Sequence, residues 1–360
     1  RARYILLENA TAMAKVEIET VLGPVNAEDL GITFTHEHLT IDYSKCTLPP
    51  AKDVDKSRMN EPITLANLNW LKHNPYSCVA NLNLANEKDA ILSDLESLKQ
   101  SGGCTIVENT CIGINRDVAA MIEFAKLSGL NVVCGTGYYV AVTQMDSVKN
   151  ALAEEMTKTI VDDINNGIDG TKVKPGIIGE VGCSWPLAEM ERRSLQAAAI
   201  AQSQTKTPVM IHPGRDPSAP FENLRIFQEA GGDAKHTVIA HLGRTISKKD
   251  TLLELAETGV FIEYDLFGSE ISYFQEMPTI DMQNDAQRID MIGYLISQGF
   301  EDRILVAHDV HTCHQLTKYG GHGYAHILDY AVPKMRLKGI SQSNIDKILV
   351  SNPKSWLTYY

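Results

Sequence analysis

Six residues with metal-binding side chains stand where apolar stretches of the sequence turn polar. They are His36, His38, Glu180, His212, His241 and Asp309. Imidazole nitrogens and carboxylate oxygens are ligands that proteins offer to zinc and related divalent ions. If residues 32–39 form a strand, His36 and His38 point to the same side and can both reach one ion. The chemistry that such a set predicts is hydrolysis by a metal-activated water.

Each of these residues also has a simpler explanation when it is taken alone. A single His212 or His241 at a strand end is more often a hydrogen-bonded core histidine, and Asp309 would suit a helix N-cap. Glu180 could pair with an arginine, although burying it without a cation costs heavily. Six such residues on five stretches are hard to explain independently, so together they predict a binuclear metal site.

Eight short stretches rich in valine and isoleucine would position these side chains. They span 32–39, 104–109, 132–139, 176–182, 208–213, 237–243, 260–267 and 304–310. Their near-continuous apolar character predicts parallel strands that are buried on both faces. Helical patterns lie between them, which predicts right-handed βαβ units. The fold class is therefore α/β, a (β/α)8 TIM barrel with the metal site at the C-terminal ends of its strands.

Two connections are much longer than the others, 40–87 and 268–303. Both follow strands and would lie on the catalytic face, which makes them candidate lids or subunit contacts. No repeat or linker divides the chain, so residues 16–360 are predicted to form a single barrel domain. Residues 1–15 are expected to be disordered or left over from cloning, and the first twelve of them would precede a natural start at Met13.

The composition limits the partners and the compartment. The 360 residues carry a net charge of −12, from 33 basic and 45 acidic residues. This balance argues against a non-specific nucleic-acid surface, and no apolar run reaches the roughly 18 residues of a membrane span. The seven cysteines are scattered and odd in number, so they do not suggest a disulfide framework. We expect a cytoplasmic protein without nucleic-acid or membrane partners.

Several long segments of the sequence resemble one known family. They are THEHL, GGCTIVENT, GIIGEVGCSWPL, IHPGR, EYDLFG, DRILVAHDVHT and KYGGHGYAHIL. Through them the chain resembles the phosphotriesterase-like branch of the amidohydrolase superfamily, from about residue 16 to residue 357, and within it the phosphotriesterase-related group. The resemblance implies one amidohydrolase-type barrel with two divalent metal ions. Zinc suits the ligands, with manganese or iron as alternatives.

The resemblance also implies how the six ligands are divided between the two ions. The more buried ion would be held by His36, His38 and Asp309, and the more exposed ion by His212 and His241. Many members bridge the ions with a carboxylated lysine on the fourth strand, where this sequence has Glu180. The bridge would therefore be a plain carboxylate that needs no modification.

The expected catalytic residues are Glu180 and Asp309. Two divalent ions lower the pKa of a bridging water, so that hydroxide is present at neutral pH. Asp309 would accept the proton and pass it to the leaving group. His311, two residues further along the chain, would assist this transfer.

Two arginines near the predicted barrel mouth suggest the charge of the substrate. Arg215 follows His212 by three residues, and Arg244 lies where lactonases and esterases of this branch commonly have an acidic residue. Guanidinium groups suit an anionic substrate and would gain nothing from a neutral phosphotriester. The alternative for each arginine is a salt bridge with a loop carboxylate.

The resemblance to the phosphotriesterase-related group implies an amidase acting on N-acyltaurines, chiefly cleaving N-acetyltaurine to acetate and taurine. An arginine would hold the sulfonate, and Tyr139, Tyr264 and His311 complete the predicted substrate-binding residues, although both tyrosines could simply pack. The alternative enzyme is a lactonase, carboxylesterase or phosphotriesterase with the same metals, and the alternative class is a non-catalytic scaffold. A small anionic amide is the expected partner, and the long loops are compatible with a homodimer.

Overall fold

The computed structural model describes residues 16–359 and contains an eight-stranded parallel sheet. Two short antiparallel strands come first, β1 Glu17–Ile18 and β2 Val25–Asn26. The barrel strands are β3 Ile32–Glu37, β4 Gly103–Glu108, β5 Asn131–Thr136, β6 Ile177–Gly182, β7 Val209–His212, β8 Thr237–Ile239, β9 Phe261–Tyr264 and β10 Ile304–Val306. All eight overlap the predicted stretches, so the predicted (β/α)8 TIM barrel is confirmed.

Helices connect the strands. They are α1 Leu68–His73, α2 Lys88–Gln100, α3 Val118–Ser128, α4 Asp146–Lys149, α5 Ala153–Asn166, α6 Glu189–Thr205, α7 Ala219–Glu229, α8 Leu242–Thr245, α9 Lys249–Glu257, α10 Asp285–Ser297, α11 Val332–Leu337, α12 Gln342–Asp346 and α13 Asn352–Leu357. Two π-helical turns, Ile327–Ala331 and Lys347–Ser351, lead into α11 and α13. Across residues 16–359, every helix falls short of the length and apolar character that a membrane-spanning segment requires.

The two edges of the sheet, β3 and β10, meet at a seam formed by His36, Glu37, His308 and Asp309. Asp309 donates its backbone N–H to the carbonyl oxygen of His36 at 3.1 Å. The Glu37 carboxylate accepts the backbone N–H of His308 at 2.8 Å and lies 2.6 Å from Nδ1 of the same residue. The barrel seam therefore contains two of the predicted metal ligands.

Apolar side chains fill the N-terminal end of the barrel. Seven strands contribute one each, namely Val107, Val133, Ile177, Met210, Val238, Phe261 and Leu305. Ile18 of β1 and Trp356 of α13 join this cluster and are almost fully buried. Apolar packing therefore holds this end together, and the predicted ligands lie at the opposite, C-terminal end, where (β/α)8 enzymes carry their active sites.

The two long connections contact each other on the ligand side of the barrel. Gln275 of the second connection accepts the backbone N–H of Tyr76 at 2.9 Å and donates to the Ser77 hydroxyl at 2.6 Å. These hydrogen bonds join the connections beside the predicted site. This arrangement favours the lid interpretation, and a role in subunit contacts stays a prediction.

Candidate metal centre

The six predicted ligands come together around the carboxylate of Glu180, on β6. Its Oε2 lies 2.9 Å from Nδ1 of His212 and 3.5 Å from Nε2 of both His36 and His241. Its Oε1 lies 3.2 Å from Nε2 of His38. One carboxylate thus faces four imidazoles from three other strand ends, which is the position expected of a bridging ligand.

Asp309 completes the group from the opposite side of the seam. Its Oδ1 lies 3.3 Å from Nε2 of His38 and 3.9 Å from Nε2 of His36. Asp309 and His241 both have left-handed backbones, with φ of 50° and 59°. Such conformations are uncommon outside glycine and cost on the order of 1–3 kcal/mol each, so they are retained where the surroundings demand them. Both turns come directly after a barrel strand and direct the side chain into the centre.

The donor set fits divalent metal ions. Three overlapping groups of three residues have ligand atoms within 4.8 Å of one another: His36 with His38 and Asp309, Glu180 with His212 and His241, and His36 with His241 and Asp265. Nε2 of His36 is buried and has no hydrogen-bond partner among residues 16–359, which is costly unless another group binds it. The first two of these three groups agree with the predicted division between two ions, and the individual ligand roles stay predictions.

The surroundings of Glu180, His212 and His241 favour the protonation states in which these side chains bind metal. Burial by itself would raise the pKa of Glu180, but the charge of His36 and hydrogen bonds from His212 and His241 hold it well below its ordinary value. Burial and the charge of His241 lower the pKa of His212, and burial lowers that of His241 to about 3. An ionised carboxylate and neutral imidazoles are the forms that bind metal.

His38 behaves differently because two carboxylates face it. Burial lowers its pKa, but Asp309 and Glu180 outweigh burial and raise it to about 9. A divalent ion bound at this histidine would therefore displace a proton, which makes metal binding here dependent on pH.

Two further carboxylates, Glu263 and Asp265, orient the ligands and were missed in the sequence. Oε2 of Glu263 lies 3.2 Å from Nδ1 of His36, and its Oε1 accepts the Thr35 hydroxyl at 2.6 Å. Oδ2 of Asp265 accepts the backbone N–H of His241 at 2.7 Å and lies 3.0 Å from its Nδ1. The alternating acids in EYD, within an otherwise apolar strand, were the signal that could have revealed them.

A relay from β4 orients His38 in the same way. Its Nδ1 lies 3.0 Å from the hydroxyl of Thr110, which donates to Oε1 of Glu108 at 2.5 Å. The same oxygen accepts the backbone N–H of Leu39 at 2.9 Å. Carboxylates behind ligating histidines fix the ring orientation and increase ligand basicity.

Replacing Asp265 with asparagine is expected to weaken metal binding by about 10- to 100-fold, because the charged Oδ2 that faces both the backbone N–H and Nδ1 of His241 is replaced by a neutral amide, which orients the ring less firmly and no longer increases its basicity. Competition with a chromophoric chelator would measure the affinity. Asp285→Asn is the matched control, since Asp285 is a carboxylate 2.7 Å from Nε2 of His326, away from the six ligands. Equal loss of affinity in both variants would contradict an orienting role for Asp265.

A small inner chamber borders the ligands and contains most of the predicted substrate-binding residues. Its lining beyond the ligands is Ile41, Tyr43, Tyr76, Tyr139, Arg215, Arg244 and His311. The Tyr139 hydroxyl lies 3.3 Å from Nδ1 of His212. Nδ1 of His311 lies 3.3 Å from Oδ2 of Asp309, and its Nε2 lies 3.0 Å from the Tyr76 hydroxyl. These contacts place Tyr139 and His311 beside the predicted reaction centre.

The two predicted arginines differ in their partners. Arg215 forms a close ion pair with Glu276, a residue of the second long connection. Arg244 has no carboxylate oxygen within 4.0 Å in the part of the chain that the structure describes, and its Nη2 lies 3.5 Å from Nε2 of His212. Both guanidinium groups sit 5.3 Å from the centre of the Phe274 ring. The salt-bridge alternative therefore applies to Arg215. The charge of Arg244 is not paired with a carboxylate of the described residues, so Arg244 could bind an anionic substrate.

The structure places Tyr264 away from the other predicted substrate-binding residues. Its neighbours are Glu263, in β9, and Asp265, the first residue after β9. Both face the ligands, and alternate residues of an extended chain point to opposite sides. Tyr264 is fully buried in the main hydrophobic core and does not line the inner chamber. The packing alternative is the one that the structure supports.

Comparison with known proteins identifies the family. The family model described as "Phosphotriesterase family" matches residues 16–357. The chain belongs to the phosphotriesterase family. The resemblance inferred from the sequence is thereby confirmed, and this metal-dependent family agrees with the candidate ligand groups.

Several known proteins are similar to this chain over nearly its whole length. An N-acetyltaurine hydrolase from Bos taurus is 49% identical over 95% of this chain and 98% of its own length. A phosphotriesterase-related protein from Nematostella vectensis is 48% identical over the same shares. The crystal structure of a resiniferatoxin-binding protein from Rhodobacter sphaeroides superimposes with a TM-score of 0.91 at 32% identity, covering 95% of this chain and 94% of that one.

Proposed function

We propose that this protein is a metal-dependent hydrolase that cleaves the amide bond of N-acetyltaurine to give acetate and taurine. The observation that carries the proposal is a complete set of four histidines and two carboxylates in a chain 49% identical to an N-acetyltaurine hydrolase. A scaffold that had lost catalysis would be expected to lack some of these ligands.

The proposed cofactor is a pair of divalent ions, zinc by ligand chemistry and manganese or iron as alternatives. His36, His38 and Asp309 would hold one ion, His212 and His241 the other, and Glu180 would bridge them. When bound, such a pair supplies hydroxide at neutral pH and polarises the scissile carbonyl.

Residues of the protein transfer the proton and keep the reacting groups in position. Asp309 accepts a proton at a carboxylate oxygen and passes it to the departing amine. His311, 3.3 Å from Oδ2 of Asp309, holds this carboxylate in place and links it to the Tyr76 hydroxyl. Tyr139, beside His212, closes the side of the chamber that the acyl group faces.

Arg244 is the proposed sulfonate ligand. It is only 7% exposed, and its buried Nε has no hydrogen-bond partner among the described residues. Burying a cation without a partner costs free energy, and pairing with an anionic group of the substrate would recover it. Arg215 is already neutralised by Glu276, so we propose that it positions the Phe274 loop rather than the sulfonate.

Arg244→Gln is expected to raise KM for N-acetyltaurine by about 10- to 100-fold. This factor corresponds to the free energy that a hydrogen bond to a charged group usually contributes. Steady-state kinetics would measure the change. N-propylacetamide, which lacks the sulfonate, is the control substrate, and its kcat/KM should stay within about threefold of the unchanged protein's value. An equal loss on the neutral amide would show that Arg244 supports the site without binding the anion.

The proposed function is tested by metal analysis and matched hydrolysis assays. Protein supplied with zinc or manganese is offered N-acetyltaurine, a lactone, a carboxylester and a phosphotriester, with acetate and taurine release followed directly. Turnover of the amide supports the proposal. Turnover of the lactone, carboxylester or phosphotriester alone would replace it with the corresponding alternative, and a protein that binds no metal and turns over none of them would be a scaffold.

The proposed compartment is the cytoplasm, because all seven cysteines lie within the described residues as free thiols and reducing compartments keep them so. A homodimer formed through the long connections also stays a prediction. Sedimentation velocity of the purified protein would measure the oligomeric state.

A further inference from the structure

Residues 272–282 of the second long connection form an arch whose backbone is bonded to itself. Tyr273 and Asp281 pair as an antiparallel bridge, and Met282 donates its backbone N–H to the carbonyl oxygen of Ser272 at 2.9 Å. Within residues 16–359, no backbone–backbone hydrogen bond joins the arch to the rest of the chain. The arch can therefore move as a unit when the side chains at its tip are released.

The tip of the arch, residues 274–276, is held beside the metal centre by side chains. Gln275 accepts the backbone N–H of Tyr76 at 2.9 Å and donates to the hydroxyl of the next residue at 2.6 Å. Glu276 forms its close ion pair with Arg215. Docking of the tip thus depends on a small number of side-chain contacts with the first long connection and with Arg215.

Phe274 is the part of the tip that meets the proposed anion site. It is 5% exposed, and the centre of its ring lies 5.3 Å from the guanidinium of Arg244. Arg244 is 7% exposed, and its Nη2 lies 3.5 Å from Nε2 of His212. An aromatic face within about 6 Å attracts a guanidinium group. Phe274 therefore covers Arg244 and holds its charge beside His212, at the edge of the metal centre.

Docking of the tip and binding of an anion act on the same guanidinium. A docked Phe274 keeps water away from Arg244, which costs free energy as long as the charge is unpaired. An anionic group of the substrate that pairs with Arg244 offsets this cost, and the pair is stronger where water is excluded. The docked tip therefore favours anion binding, and by linkage a bound anion favours the docked tip to the same extent.

We propose that the tip is the substrate-responsive part of the anion site. Phe274 positions Arg244, and docking of the tip and binding of the substrate's sulfonate strengthen each other. This coupling rests on the proposed function, in which Arg244 is the sulfonate ligand. Phe274 and Gln275 act only through Arg244 and take no part in breaking the amide bond. Selectivity for an anionic amine half then depends on the arch as well as on the arginine.

Hydrogen exchange at the backbone N–H of Tyr76, resolved by NMR, measures docking directly because its acceptor is Gln275 of the tip. The N–H of Ser77 is the control, since it donates to the carbonyl oxygen of Asn74 within the first connection. In the metal-supplied protein, saturating taurine, which carries the same sulfonate, should slow exchange at Tyr76 about fivefold or more and leave Ser77 within about twofold. In Arg244→Gln, taurine should slow neither.

Two substitutions in the tip separate positioning of Arg244 from general support of the site. Phe274→Leu keeps an apolar side chain without the ring, and Gln275→Ala removes the bond to Tyr76. Each should raise KM for N-acetyltaurine about 5- to 20-fold, with kcat and the kcat/KM for neutral N-propylacetamide within about threefold. The control is Tyr273→Leu, because this neighbouring aromatic residue is 39% exposed and, in the described chain, makes no cation–π contact with either arginine. Its KM should stay within about twofold.

A double variant tests whether the effect passes through Arg244. Once Arg244 is replaced with glutamine, adding Phe274→Leu should raise KM for N-acetyltaurine by no more than about twofold further, because the two substitutions remove the same interaction. A full additional effect of Phe274→Leu in this background would refute the positioning role.

The outcomes separate the coupling from the proposed function. If N-acetyltaurine is cleaved but its KM is unchanged in both tip variants, or rises equally in Tyr273→Leu, the positioning role is refuted and the proposed function stands. If N-acetyltaurine is not cleaved but taurine slows exchange at Tyr76 only when Arg244 is present, the coupling stands and the proposed substrate is wrong. If taurine leaves exchange at Tyr76 unchanged, the coupling is refuted whatever the substrate.

Discussion

Asp309→Asn is expected to lower kcat for amide hydrolysis by about a thousandfold or more while the barrel stays folded. The amide has the same shape as the carboxylate but cannot accept the proton from the attacking water. It also loses the negative charge that lies 3.3 Å from Nε2 of His38 and 3.3 Å from Nδ1 of His311. The barrel seam at this residue uses its backbone N–H, which the substitution leaves in place.

Single-turnover kinetics, metal content and circular dichroism of Asp309→Asn would together measure this effect. Asp302→Asn is the control, since Asp302 is an acidic residue that precedes β10 and pairs only with Lys347 in the part of the chain that is described. Its kcat should match that of the unchanged protein. Full activity of Asp309→Asn with its metals bound would remove Asp309 from the reaction.

Glu180→Gln is expected to remove at least one of two bound ions per chain and to lower kcat by about a thousandfold or more. Glu180 faces four imidazoles at 2.9–3.5 Å. A neutral amide offers one weak oxygen ligand and directs N–H groups at nitrogens or metal. Glu180→Asp keeps the charge on a shorter side chain, so it should retain more metal than Glu180→Gln.

Inductively coupled plasma mass spectrometry on dialysed protein would give the metal stoichiometry of each variant. The control is Glu191→Gln, because Glu191 is an equally buried carboxylate that accepts from the backbone N–H groups of Ala141 and Ser184 and touches no ligand. Two ions per chain in Glu180→Gln would show that the bridge is not needed for binding.

The strands and the grouping of the six candidate ligands were predictable because both depend on short stretches of sequence. Each barrel strand reads as an apolar run, and each ligand stands where such a run turns polar, so no long-range information was needed. The structure brings the six together in two groups of three, with ligand atoms within 4.8 Å of one another in each group. Their approach follows from the parallel sheet, since parallel strands present their C-terminal ends at one side.

The remaining parts of the site depend on register and on irregular loops. Glu263 and Asp265 reach His36 and His241 because of how β9 lies relative to β3 and β8, which apolar character does not reveal. The same alternation turns Tyr264 away from the chamber. The difference between Arg215 and Arg244 depends on Glu276, whose loop lacks any periodic pattern.

The barrel seam also constrains the order of events during synthesis of the protein. Glu37 and His308, which bond across it, are 271 residues apart in sequence. At about 5–20 residues per second, the ribosome needs on the order of 10–60 s to make that interval. His36 and His38 therefore leave the ribosome well before Asp309 exists. The six candidate ligands come together only after the last strand has closed the barrel, so the proposed binding of two ions would follow the synthesis of β10.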